Sequence, residues 1–434
     1  MTVIRPSSVP ARPVGGLRPR LKGPSARNVA STAGTNLSAA LLTGIGGIFL
    51  ARSLGSTDRG GLVTILLWPA AIGSLASLGL TQATCYWLAR RRAQGAAIMA
   101  TAARAATITG LAVAVAGLGI APLVGRTDSV TGLLRVVFFL SPLFIAGGVW
   151  MSSLQAVNIG VWNRARMIQP VTYSGGVFGL ALAQRLTLTT ATAAFCCSLI
   201  LQTWYARKLA CRAVDGSEPA QPHLVGTLYR YGVRVWASTV PQLINTRLDQ
   251  LMLSVMPAVA ASELGVYAVA ASLSWLALPT ATAFGSVAFP AIAGATSEPA
   301  IRHIERVSLL GSAGAAAMTL LMVCVAAPFA VPRLFGPDFE GAVSSLWLLA
   351  PGTVFLAMNR VLADLLQGRG RPLSTSVGEA TAAVVTVLLL LALTPRYGIR
   401  GAATASSVAY VCATIVLYAR LRAARKQAPP EPTG

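Results

Sequence analysis

From about residue 30 the chain alternates between long apolar runs and short polar breaks. Twelve runs are long enough to predict helices, at about 30–51, 62–88, 97–124, 134–156, 168–184, 187–206, 232–256, 264–290, 307–330, 341–366, 374–394 and 400–419. A helix rises about 1.5 Å per residue, so about 20 apolar residues cross the roughly 30 Å hydrocarbon layer of a bilayer. The pattern therefore predicts an all-α polytopic membrane protein with about twelve transmembrane helices. Residues 1–28 lack such a run. They are basic and rich in Pro and Gly, which predicts a disordered cytoplasmic arm rather than a secretory signal.

Composition narrows the classes further. Of 434 residues, 54% are hydrophobic and 11% charged, and the mean hydropathy is +0.65. A soluble domain carries about a quarter charged residues, so a water-soluble enzyme and a disordered chain are both excluded. The net charge of +22 points to nucleic acid or to a membrane surface. The basic residues lie between apolar runs and at the termini, so they read as topology signals and contacts to anionic lipid, not to nucleic acid. With the N-terminus placed inside, 23 Lys and Arg fall in inner segments. Eight fall in outer ones: Arg52, Arg59, Arg126, Arg135, Arg185, Arg333, Arg396 and Arg400. This asymmetry predicts cytoplasmic termini.

The two halves echo each other. Leu54-Gly55 followed by Asp58-Arg59-Gly60 parallels Pro257 followed by Ser262-Glu263-Leu264-Gly265. Trp68-Pro69 in the second run parallels Trp275 and Pro279 in the eighth. The organisation expected is a six-helix lobe over 29–206, a cytoplasmic linker over 207–231, a second lobe over 232–420 and a tail over 421–434, related as a parallel repeat.

Little in the chain suggests catalysis. There is no phosphate-binding loop of the G-x-x-x-x-G-K-[ST] type. The six cysteines form no C-x-x-C pair, and the two histidines, His223 and His303, lie far apart. No metal site, cofactor or enzymatic centre is expected. The candidate chemistry lies within the spans. In the seventh run Arg234, Ser238, Gln242, Asn245 and Asp249 fall within about 40° of one helical line, with Arg247 on the opposite face. An Asp or Arg at mid-bilayer costs about 2.5–3.5 kcal/mol, so this stripe faces a cavity or another helix, not lipid. Two readings stand: a polar translocation cavity with Asp249 as a proton or cation site, or an interhelical hydrogen-bond seam. In the first run Thr32, Asn36, Ala39, Thr43 and Gly46 share a face, which favours close helix packing, with a cavity wall as the alternative. Arg360 and Asp364 in the tenth run are spaced for a local ion pair near the inner surface. Arg104 in the third run has no local acid and is placed to snorkel.

Several segments carry a resemblance. They are Leu50-Ala51-Arg52-Ser53-Leu54-Gly55, Arg247-Leu248-Asp249-Gln250-Leu251-Met252-Leu253, Glu263-Leu264-Gly265-Val266-Tyr267 and Gly368-Arg369-Gly370-Arg371-Pro372. To these is added Pro395-Arg396-Tyr397-Gly398-Ile399-Arg400-Gly401-Ala402-Ala403. In this order the chain resembles the polysaccharide-exporter, or lipid-linked oligosaccharide flippase, family of the multidrug/oligosaccharidyl-lipid/polysaccharide exporter (MOP) superfamily. It departs at Gln250, where the family often has a basic residue, and at Arg59, where it often has an aromatic one. The resemblance implies two six-helix lobes around a central cavity. It implies movement of a polyprenyl-diphosphate-linked glycan from the inner to the outer leaflet of a bacterial plasma membrane, by alternating access. Asn36, Arg234, Gln242, Asn245, Arg247 and Asp249 are the expected cavity residues, Asp249 the candidate coupling residue, and Arg104, Arg247 and Arg360 the candidate diphosphate contacts. Partners would be the lipid-linked glycan, membrane lipids and a glycan polymerase or ligase. The alternatives are a cation-coupled drug or metabolite antiporter of the same superfamily and a membrane glycosyltransferase or polymerase. Scattered acids on short external loops argue against the last.

Overall fold

The computed structural model describes residues 26–214, 216, 223–293, 297–369 and 373–425. Most of the N-terminal arm and the last nine residues lie outside this set. Among the described residues the chain forms thirteen α-helices and no strand. The first half contains α1 (Ala26–Ala76), α2 (Leu80–Arg90), α3 (Gly95–Val124), α4 (Asp128–Phe139), α5 (Ser141–Val157), α6 (Ile159–Leu182) and α7 (Leu188–Ala213). The second contains α8 (Leu224–Val255), α9 (Ala261–Ser274), α10 (Leu278–Ala293), α11 (Glu298–Phe335), α12 (Gly341–Gly368) and α13 (Leu373–Arg425).

Among the described residues six helices are long and apolar enough to cross a membrane, or seven with the bent α4–α5 pair taken as one span. Two of the six hold two crossings each. Their apolar stretches, Gly34–Ala76 and Ser374–Arg425, have 43 and 52 residues, about 65 and 78 Å if straight, or at least twice the bilayer core. Each is broken at one glycine, Gly55 (φ 68°) in α1 and Gly398 (φ 54°) in α13. A positive φ is accessible to glycine at little cost, so two helices meet at a kink there without an intervening loop. The sequence reading expects separate helices around these breaks, and the backbone leaves helical geometry at Gly55 and Gly398.

Other apolar runs are subdivided. Run 62–88 breaks at Leu78 and Gly79, both with positive φ. Run 134–156 bends by 44° between α4 and α5, where Pro142 begins the new helix. Run 264–290 is interrupted by a 3₁₀ turn, Trp275–Ala277. The fifth helix begins at Ile159, nine residues before its expected start at 168, because the side chain of Asn158 caps the backbone N–H groups of Gly160 and Val161. The segment expected as a linker, 207–231, is helical to Ala213 and again from Leu224.

Buried apolar side chains of α1–α7 form one cluster, which also takes Leu224 and Leu228 from the start of α8. The far end of α8 instead packs with α9, α11, α12 and α13, and Ala51 of α1 joins that second cluster. One end of the bundle carries Gly55, Arg126 and Gly398; the opposite end carries Arg90 and Arg369.

At the Arg369 end an ion network ties three elements together. Glu305 of α11 is fully buried, 2.5 Å from Arg369 Nε and 2.9 Å from Arg425 Nε. Arg369 also reaches Glu298 at 2.8 Å. The network thus joins the first turns of α11, the end of α12 and the last turn of α13.

Candidate functional site

The halves meet tightly at the Gly55 end. A Cβ on Gly60 would lie 1.8 Å from the Ala261 carbonyl oxygen, and one on Gly265 would lie 2.1 Å from that of Ser56. The backbones of α1 and α9 therefore touch where no side chain fits. Beside them Trp68 Nε1 donates to Ser254 Oγ at 2.9 Å.

Arg126 completes this closure. It lies in the short turn between α3 and α4, where the Thr127 side chain caps α4 by accepting from Val130 N. Its guanidinium crosses to the other half and donates to the carbonyls of Ser254 (3.0 Å), Leu253 (2.9 Å), Met256 (2.9 Å) and Val259. The last carbonyls of a helix have no partners within it and form the negative end of its dipole. Arg126 is thus a C-cap for α8 supplied by the opposing half. Replacing Arg126 by alanine is expected to weaken the closed state by about 2 kcal/mol after solvent screening, roughly a 30-fold shift toward opening. The check is a cysteine at Thr246 in a background without the six native cysteines. It should gain labelling by a membrane-impermeant reagent supplied at the Gly55 end. Unchanged labelling would rule out the latch.

Toward the opposite end the halves enclose a cavity of about 390 Å³. Ser74, Ser77, Thr81 and Gln82 line it from the first half, and Trp236, Thr246 and Arg360 from the second. Phe144, Ile145 and Val240 add apolar wall. The α1–α2 break places the first set, because reversed φ at Leu78 and Gly79 turns the chain across the cavity floor. Trp236 Nε1 donates to the Leu75 carbonyl at 2.8 Å, and Tyr86 stacks on Tyr231 at 4.1 Å, so α8 is pinned to the first half here as well. No carboxylate is among the described lining residues, and Arg360 is the charged one.

The expected site residues are dispersed around this cavity. Asp249 is buried in the second half. It accepts from Tyr267 Oη at 2.5 Å, from Ser406 Oγ at 3.4 Å and from Gln250 N at 2.8 Å, bringing α8, α9 and α13 together. About two turns along α13, Thr414 donates to Asn359 Oδ1 at 2.7 Å, and Asn359 donates to the Tyr410 carbonyl at 3.1 Å. Arg247 is half-buried with its guanidinium 4.8 Å from the Trp275 ring centre. Arg104 and Arg234 are exposed on α3 and α8. The side chains of Ser238, Gln242 and Asn245 lie outside the described residues.

The polar face of α1 meets α6. Asn36 accepts from Arg166, Thr32 accepts from Asn163 Nδ2 at 3.1 Å, and Ser174 Oγ donates to the Leu42 carbonyl at 2.9 Å. Arg360 faces the cavity, and Asp364, its expected partner, lies within reach of its charge and also packs against Gly285 of α10. Arg126 and Glu305 are absent from the expected set. A lone Arg after a glycine in a short loop was the available signal for the first. For the second there was none, since its partners are 64 and 120 residues away.

No protein-family model and no curated protein matches the chain. Solved structures do. An inward-facing multidrug resistance MATE family transporter of the MOP superfamily superposes with a TM-score of 0.72 at 17% identity, covering 91% of this chain and 99% of that one. The chain has the fold of that transporter. The lipid II flippase MurJ, in an inward closed conformation, gives a TM-score of 0.71 at 13% identity over 90% of this chain and 87% of that one. An outward-facing MATE transporter gives 0.57 at 15% identity over 92% and 95%.

Proposed function

We propose that the protein is a flippase, not an enzyme, that moves a polyprenyl-diphosphate-linked oligosaccharide from the inner to the outer leaflet for cell-surface polysaccharide assembly. The observation that carries this reading is the cavity lining. Hydroxyl and amide groups suit sugar hydroxyls, Trp236 offers a flat apolar face, and Arg360 is a cation for phosphate oxygens. A cavity for cationic drugs would call for a carboxylate, and the described lining has none. The lipid II flippase of the same fold handles a lipid-linked substrate, which supports the class.

The excess of basic residues at the Arg369 end supports a cytoplasmic side for that end and for both termini, in a bacterial plasma membrane. The Arg126 closure then faces outside. The cavity loads from the inner leaflet, and breaking the Arg126 contacts opens it outward. Asp249 is the coupling residue. The apolar tail stays in the bilayer, and a glycan polymerase or ligase takes the product.

A second reading, a cation-coupled antiporter of drugs or metabolites, is favoured by the buried Asp249–Tyr267 pair, which suits coupling in either case. The test is a lipid extract from cells with and without the protein, assayed for the leaflet that lipid-linked glycans occupy. A polyprenyl-diphosphate glycan should accumulate on the inner face without it. No change in any such lipid, in cells with no second flippase, would favour the antiporter. Arg360→Gln should reduce glycan flipping at least about tenfold, the size expected for loss of one charge-assisted contact.

A further inference from the structure

Arg59 stands one turn beyond the Gly55 break, within the first half. The residue is half-buried, but its Nε is sealed from solvent and has no hydrogen-bond partner. Tyr173 of α6 presents a second orphan, its Oη, equally sealed and unpartnered. The two groups interact electrostatically with each other, and no carboxylate acts on Arg59. The two acids of residues 26–213, Asp58 and Asp128, are both exposed. Neither forms a salt bridge with Arg59.

A guanidinium carried into a membrane protein without an acceptor or counter-charge is costly, and buried N–H and O–H donors left unpaired add to the cost. Both orphan atoms are donors when the phenol is neutral. A carbonyl or a water would satisfy a donor and leave the charge. An anion would do both.

We propose that the first half binds a small inorganic anion, of halide size, between Arg59 and Tyr173. Arg59 supplies the counter-charge and its Nε–H, and Tyr173 supplies an O–H. The site is distinct from the cavity between the halves, whose lining contains neither residue. Its occupancy makes the middle of α1 and α6 one electrostatically neutral unit. The same donors suit a phosphate oxygen, so the experiment separates the two sources.

The full chain in lipid nanodiscs, prepared in gluconate, is titrated with chloride, with bromide and with pyrophosphate while thermal unfolding is followed. Chloride and bromide should raise Tm along a saturating curve. Arg59→Gln should weaken the halide response at least about tenfold, and Tyr173→Phe several-fold, as expected for loss of one charged and one neutral donor. Crystals grown in bromide should show an anomalous peak between the two side chains. The proposal fails if the wild-type protein and both variants respond alike, or if bromide density appears only elsewhere. Saturation by pyrophosphate alone would also overturn it and assign the site to a lipid diphosphate. Should Arg59→Gln not fold, Tyr173→Phe and the bromide density decide.

Discussion

Glu305→Gln is expected to destabilise the protein by about 3 kcal/mol, the scale for removing one partner from a buried ion network. Glu305 is wholly buried and accepts from two arginines on opposite oxygens, Arg369 at Oε1 and Arg425 at Oε2. Glutamine keeps the shape but offers one acceptor oxygen, so one guanidinium meets an NH₂ donor. Arg369 retains Glu298 at 2.8 Å. Arg425 has no second carboxylate among the described residues, so the last turn of α13 should loosen first. The neighbouring Arg302–Glu298 pair is the control. Its side chains are 59% and 36% exposed, and breaking it with Arg302→Gln should cost less than about 0.5 kcal/mol. Thermal unfolding of the two variants side by side checks the contrast. Equal effects would show that the network is a surface feature.

Asp249→Asn should abolish ion-driven transport while leaving the fold intact, a loss of at least about a hundredfold for an intramembrane acid that carries a proton or cation. The argument rests on what asparagine can still do. Its oxygen can accept from Gln250 N, and its NH₂ can donate to the oxygens of Tyr267 and Ser406, whose hydroxyl hydrogens rotate away. The contacts survive with two of them reversed, and the titratable group does not. Transport in proteoliposomes with an imposed gradient, read beside substrate binding, checks it. Binding within a few-fold of wild type and no gradient response is the expected pair. Gradient-driven transport equal to wild type would remove Asp249 from the coupling role.

The sequence announces the spans because lipid imposes one rule on every residue of a crossing helix. Leu54-Gly55 marks a real break for the same reason: only glycine turns there at low cost. The interruptions at Leu78 and Leu140 are less legible, since apolar side chains continue through them and the bend is decided by packing partners from other helices. Asp249 stands out as a charge in an apolar run, and it is indeed buried. Which neighbours enclose it depends on Tyr267 and Ser406, 18 and 157 residues away. The Arg126 latch is harder still, because its acceptors are backbone carbonyls, which carry no sequence signature. Gly60 and Gly265 read as ordinary small residues until their backbones are seen to touch.

The anchoring of α8 has a mechanical consequence. Leu224 and Leu228 sit in the core of the first half, whereas Leu253 sits in that of the second. A rod fixed in two blocks cannot let them swing apart unless it flexes along its own length. The free length lies between Trp236, whose Nε1 holds the Leu75 carbonyl of the first block, and Thr246 at the cavity wall. Pro241 stands within it and contributes no backbone N–H to the helix. The lever and the hinge of this protein are one helix, and its stiffness at Pro241 sets how readily the two blocks tilt.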